Sequence, residues 1–237
     1  MVENTVNLII RSATSFYNEL KEDPNSRYRS WEYCYKVFHD ARKAKDVDAD
    51  YLSLQLAFYL ASWGMYRGSS FLLKKDYKIH IPVVKELLKD KYDPLFGIQC
   101  VELREKSNQV LLTKISKRME TYYESVRKTV KGTDVKNKVS STLITKVLMG
   151  TFGCVPAYDR YFIDGVKDQK VSAGNYNLRS LLKLIDFYEE NYSELEQARS
   201  KMEVCGLPYP QMKVLDMGFW QIGSDNDLNK RLSKAHK

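Results

Sequence analysis

The spacing of apolar residues is the feature that most constrains what this chain can fold into. They recur three and four positions apart along most of its length, with few runs alternating at two, a pattern that turns one face of a helix toward a core. The sequence therefore predicts an all-α protein. Leu8, Ile9, Ser12, Phe16 and Leu20 share a face between Val6 and Leu20, and Asp23-Pro24-Asn25 ends that helix. Trp31, Tyr35, Phe38 and Arg42 mark a second, with Ser30 as its N-cap. Asp48 or Asp50 caps a third from Tyr51 to about Trp63, apolar on nearly every side and so expected to be buried. Pro82 and Pro94 suit the first turns of helices running through Leu88 and Arg104. A stripe of Leu111, Ile115, Met119, Tyr122 and Val126 continues the pattern until Lys131-Gly132-Thr133, and a very apolar helix follows from Thr142 to Phe152. The segment from Ser172–Asn175 to about Val204 reads as one long amphipathic helix. Gly206-Leu207-Pro208 breaks it before a last helix carrying Val214, Leu215, Phe219 and Trp220.

At 237 residues the chain is long enough to bury its own core. No repeat, heptad array or linker divides it. The expectation is a single monomeric helical domain over 1–237, with 1–105 and 106–225 as candidate lobes around a groove and 226–237 as a frayed basic tail. The four Cys lie far apart with no C-x-x-C pair, which argues against a disulfide framework, zinc ribbon or iron–sulfur site. With three His, a histidine metal site or a Ser-His-Asp triad has little material, and no metal or organic cofactor is expected. No stretch reads as a secretion signal or a membrane span, so a cytoplasmic protein without a membrane partner is expected. Thirty-eight Lys and Arg against 30 Asp and Glu leave a net charge of +8, alongside 17 Tyr, nine Phe and three Trp. Cations mixed with aromatic rings suit nucleic acid, although surplus Lys also keeps enzymes soluble.

The most informative segment is Thr145-Lys146-Val147, then an apolar helix, then Val155-Pro156-x-x-Asp159. A loop with Pro and then an acid, placed after a buried helix, can hold a carboxylate at the mouth of a groove. The segment resembles the catalytic region of helix-hairpin-helix DNA glycosylases of the 8-oxoguanine type. The resemblance implies that Asp159 is the catalytic aspartate, that Lys146 is the Schiff-base lysine, and that the substrate is a damaged or modified base flipped out of double-stranded DNA. It covers Thr142 to Val166, and the Gly-rich hairpin of that family is replaced by Val139-Ser140-Ser141-Thr142-Leu143-Ile144. Its sharpest form is an anti-phage enzyme that excises a hypermodified pyrimidine such as glucosylated cytosine. The residue types fit the reaction. Breaking an N-glycosidic bond develops positive charge at the sugar C1′, which a carboxylate stabilises and an amine can capture. The amine attacks only when neutral, a form favoured by burial or by neighbouring cations such as Lys138, Arg160 and Lys167. The plain alternative makes Asp159 a helix cap and Lys146 a snorkelling surface residue.

A second segment, Trp63-Gly64-Met65-Tyr66-Arg67-Gly68-Ser69-Ser70, has the parts for holding a flipped base. Trp63 or Tyr66 could stack on it, as could Tyr158 beside the acid; Ser69 and Ser70 could hydrogen-bond it, and Arg67 could take a phosphate. Otherwise the segment is a tight corner between helices, or a place where another backbone comes close. Lys74, Lys75 and Lys78, around Tyr77, form a candidate phosphate strip, as do Lys138 and Arg160 beside the acid; solvated loop is the competing reading. Arg118, Arg127, Lys128, Lys131 and Lys136 read as a solvated helix face. The run Asp216-Met217-Gly218-Phe219-Trp220-Gln221 reads as core closure, although Trp220 and Gln221 could reach a ligand. Arg231-x4-His236 matches the Arg-x4-6-His pattern of HEPN ribonucleases, which keeps an RNA-cleaving toxin as an alternative; a non-enzymatic nucleic-acid-binding protein is the other.

Overall fold

The computed structural model describes residues 4–131 and 138–235. The fold is all-α. Helix α1 spans Thr5–Glu22, α2 Ser30–Ala41, α3 Ala49–Ser62, α4 Ile81–Leu87 and α5 Lys106–Lys128. Helix α6 spans Ser141–Thr151, α7 Arg160–Asp168, α8 Leu178–Glu190, α9 Tyr192–Arg199 and α10 Gln211–Ala235. A small antiparallel hairpin pairs β1, Glu203–Val204, with β2, Leu207–Pro208. Helices α1 and α7 pack along α10, α2 and α3 lie on α6, and α5 packs against α4 and α6. Elements from both ends of the sequence thus share one core, from Val6 to Ile222. Among the described residues no helix is long and apolar enough to cross a membrane.

Local chemistry explains the boundaries that matter for the site. Asp48 caps α3 by accepting from the Asp50 and Tyr51 amides. At the other end Gly64 takes φ +76°, the Gly64 amide bonds Ala61 O and the Met65 amide bonds Leu60 O. This pair of bonds is the Schellman arrangement, which turns the chain sharply away from the helix. The glycine is required there by its left-handed backbone, because a Cβ would meet only the side chain of Arg67. The corner at 64–70 is therefore a turn and not a place where another backbone comes close. Helix α7 meets α10 differently. A Cβ on Gly165 would sit 2.0 Å from Phe219 O, and one on Gly223 2.0 Å from Tyr161 O. The two backbones touch where both side chains are absent.

Several expectations need correction. Residues 226–235 do not fray, because α10 continues through Ala235, with Asp227 salt-bridged to Arg231 one turn along. Helix α3 is buried on one side only, for Tyr51, Leu54 and Phe58 are exposed. The Pro94–Arg104 stretch forms two 3₁₀ turns, Asp90–Leu95 and Val101–Arg104, separated by Gly97 at φ +61°. The long helix expected up to Val204 is split at Asn191, whose side-chain amide donates to Phe187 O and so satisfies a carbonyl at the end of α8. Ser30 is the first residue of α2; Ser26 instead caps the 3₁₀ turn Arg27–Arg29 that leads into it.

Candidate functional site

Two stretches far apart in sequence, 62–71 and 138–161, face each other across a cleft of about 680 Å³. One side is the end of α3 and the turn after it. The other is α6 together with the start of α7, and α10 closes the cleft with Trp220 and Ser224. Ligand pockets commonly run from about 300 to 1,000 Å³.

Lys146 and Asp159 form its floor. Lys146 is 2% exposed, so it is not a snorkelling surface residue. Its ammonium lies 3.0 Å from Asp159 Oδ2, donates to Trp63 O at 2.9 Å and rests 5.3 Å from the centroid of the Trp63 ring. Asp159 also caps α7, its Oδ1 accepting from the Phe162 amide at 3.2 Å. Capping and pairing occupy different oxygens of one carboxylate, so the helix fixes the acid without consuming its contact with the lysine. The loop that delivers Asp159 is pinned from behind. Thr142 Oγ1 donates to Tyr158 O, and the Ala157 amide donates to Asp216 Oδ1 at 2.9 Å. Asp216 in turn holds Lys213 at 2.9 Å, both residues being buried.

Aromatic rings make the walls. Tyr28, Trp63, Tyr161 and Trp220 line the cleft, and Trp220 meets Tyr28, Trp63 and Tyr161 edge-on at 5.3–6.0 Å. Two ammonium groups already lie over the Trp63 ring, Lys213 at 4.9 Å from its centroid in addition to Lys146. Half-buried Tyr28, Tyr161 and Trp220 are better placed to receive a flat ligand. The exposed cations Arg27, Arg67, Lys138 and Arg160 complete the lining, and Ser62, Ser69, Ser70, Ser140, Thr142 and Ser224 add hydroxyls. Arg160 is ion-paired with Asp227.

The structure therefore brings together Lys146, Asp159, Trp63, Arg67, Ser69, Ser70, Lys138 and Arg160 out of the residues singled out by sequence. Others lie elsewhere. Tyr158 is buried against Phe162 and Tyr176, with its hydroxyl near Ser180. Tyr66 bonds His80, which is itself buried between the Tyr66 and Tyr123 hydroxyls, and burial pulls the imidazole down to about 4. Lys74, Lys75 and Lys78 are not among the cleft residues, and neither is Lys167. Arg118 pairs with Glu86 and Arg127 with Glu124, as on a solvated helix face; Lys136 lies outside the described residues. Arg231 is bound to Asp227, and His236 lies outside the described residues. Tyr28, Tyr161, Arg27 and Ser224 carried no sequence signal beyond an Arg next to a Tyr in Arg27-Tyr28 and Arg160-Tyr161. No family model, curated protein or solved structure matches the chain. Among the described residues, no group of His, Cys, Asp and Glu could hold a metal ion.

Proposed function

We propose that this chain is a DNA glycosylase that receives a flipped base in the cleft and breaks its N-glycosidic bond with the help of Asp159. One observation carries the reading. The Lys146–Asp159 pair, 3.0 Å apart, forms the floor of a cleft lined by half-buried aromatic rings and exposed cations. As the C1′–N bond breaks, its electrons leave with the base, which takes up a proton, and positive charge develops at C1′. A fixed carboxylate beside C1′ stabilises that charge where surrounding protein has displaced water. Water then adds to C1′, losing its proton, and leaves an abasic site. In the lysine route, Lys146 first passes a proton to Asp159 Oδ2. The neutral amine then bonds to C1′ as the C1′–base bond breaks and passes a proton to the departing base; the C1′–O4′ bond opens, O4′ takes the proton held by Asp159, and a protonated imine results.

The narrowest form of the reading takes a hypermodified pyrimidine of phage DNA, such as glucosylated cytosine, with the chain acting in defence. The size of the cleft and its six Ser and Thr side chains support a base bearing a polar substituent. A second reading is a nucleic-acid-binding protein without catalysis. It is favoured by the structural duties of the pair, since Asp159 caps α7 and Lys146 ties α6 to the end of α3.

The deciding assay incubates the protein with duplexes carrying damaged bases or phage-type modified pyrimidines and scores free base and abasic sites. Wild type is expected to release base, and Asp159→Asn to lower the rate about 10²–10⁴-fold, the usual contribution of a positioned acid or base. Equal rates for the two would remove Asp159 from the chemistry, and no release by wild type would favour the binding protein. Borohydride should trap a protein–DNA adduct in wild type and not in Lys146→Gln. Base release without trapping would assign the water route.

A further inference from the structure

We propose that the C-terminal half of α10 is a nucleic-acid arm that leads the phosphates of one DNA strand away from the cleft. The ligand class rests on the reading above; the placement rests on helix geometry. Residues spaced four, seven and eleven apart share one stripe of an α-helix. On α10 that stripe reads Trp220, Ser224, Asp227 and Arg231, with Lys234 beside it. Trp220 and Ser224 line the cleft. Asp227 binds Arg160, which also lines it, and binds Arg231 at 2.8 Å one turn further out. The wall of the cleft thus passes without interruption from rings to an open cationic surface.

The chemistry of the arm selects a polyanion. The Arg160 and Arg231 side chains are 61% and 67% exposed while Asp227 between them is 16% exposed, so Asp227 holds two guanidiniums side by side at the surface, with Asp164 also 3.7 Å from Arg160. Beyond Asp227 the helix carries Lys230, Arg231 and Lys234 and no acid through Ala235. Residues 228 to 234 are exposed without exception. The ten steps from Ser224 to Lys234 rise about 15 Å, the axial length of four or five base-pair steps. Leu228 and Leu232 are also exposed, on the adjoining face. An apolar partner, including a second copy of this chain, would use those residues and not the cations.

The test uses the full chain and an unmodified 20-base-pair duplex, with affinity measured by fluorescence anisotropy between 50 and 200 mM salt. Binding, not base release, is the readout, so it is independent of the Asp159 chemistry. Each phosphate contact contributes about 0.9 to the slope of log affinity against log salt. The triple variant K230Q/R231Q/K234Q should lower that slope by about 2.7, so that wild type's advantage shrinks about fortyfold across the range. K230Q/K234Q leaves the Asp227 pairs intact and should lower the slope by about 1.8, with an unchanged melting temperature. L228S/L232S should bind as wild type does. Unchanged slopes in both charge variants, no duplex binding by wild type, or loss of binding in the leucine variant alone would each overturn the arm.

Discussion

Among the described residues two buried lysines are paired with aspartates, and the difference between the pairs separates what is available for chemistry from what holds the frame. Lys146–Asp159 lies on the cleft floor, with side chains 3% and 15% exposed; Lys213–Asp216 lies in the core, at 2% and 3%. Both lysines rest on Trp63, and both aspartates accept a backbone amide, Phe162 for one and Ala157 for the other. The core pair thus anchors the loop that carries the acid of the cleft pair. The same ion pair is a scaffold where no ligand can come and a candidate reagent where one can.

Substitutions at the two pairs would break or sharpen that contrast. Base release is the most sensitive to it. Asp159→Asn should cost about 10²–10⁴-fold while leaving the melting temperature close to wild type, and a similar loss of stability would make the two pairs equivalent. Stability should show the reverse. Asp216→Ala leaves the Lys213 charge buried without its partner and should cost about 3–5 kcal/mol in denaturant unfolding. Asp159→Ala should cost less than that but more than about 1 kcal/mol, the value of a lost helix cap, because it leaves buried Lys146 without its partner at the edge of an open cleft that water can enter. Equal costs would show that the cleft gives Lys146 no relief.

A third buried group provides a control in pH. Burial holds His80 at about 4 against an ordinary 6.5, so the unfolded chain binds the extra proton between those values. Stability is therefore full above about pH 6.5 and declines toward pH 4, by roughly 2 kcal/mol at pH 5. His80→Gln should flatten that part of the profile in denaturant titrations at pH 7.5 and 5. A fall of the same size in the variant would move its origin to other groups. A last variant combines Lys213→Met with Asp216→Leu. Replacing both members of a buried pair can be neutral, but here the Ala157 amide loses its acceptor, and about 1–3 kcal/mol should go with it. Full stability in the double variant would show that the loop does not need Asp216.

Much of the fold was legible because stripes and caps are local. Asp48 caps α3, and Pro82 lies in the first turn of α4. What the sequence misread depended on contacts made at a distance. The alternative of a snorkelling Lys146 stayed open in the sequence, since nothing local shows that Asp159 and the carbonyl of Trp63 will receive its charge. Trp63 does line the cleft, but nothing local shows that its ring is shared by two ammonium groups. The tail looked frayed because its helix is supported by Asp227, which binds Arg160 from α7 as well as its neighbour Arg231. The halves of the cleft, 62–71 and 138–161, could each be picked out, but their meeting is a property of packing.

The glycine contact between α7 and α10 gives the cleft a mechanical tolerance close to zero. Ordinary contact needs at least 3.4 Å where a Cβ on Gly165 would find 2.0 Å, so a single methyl group would part the helices by more than an ångström. Asp159 rides on one of those helices and Trp220 on the other. A displacement of about 1 Å can cost roughly 10²-fold in rate. Two positions with no side chain, outside the cleft lining, thus set its working dimension as firmly as the residues that line it.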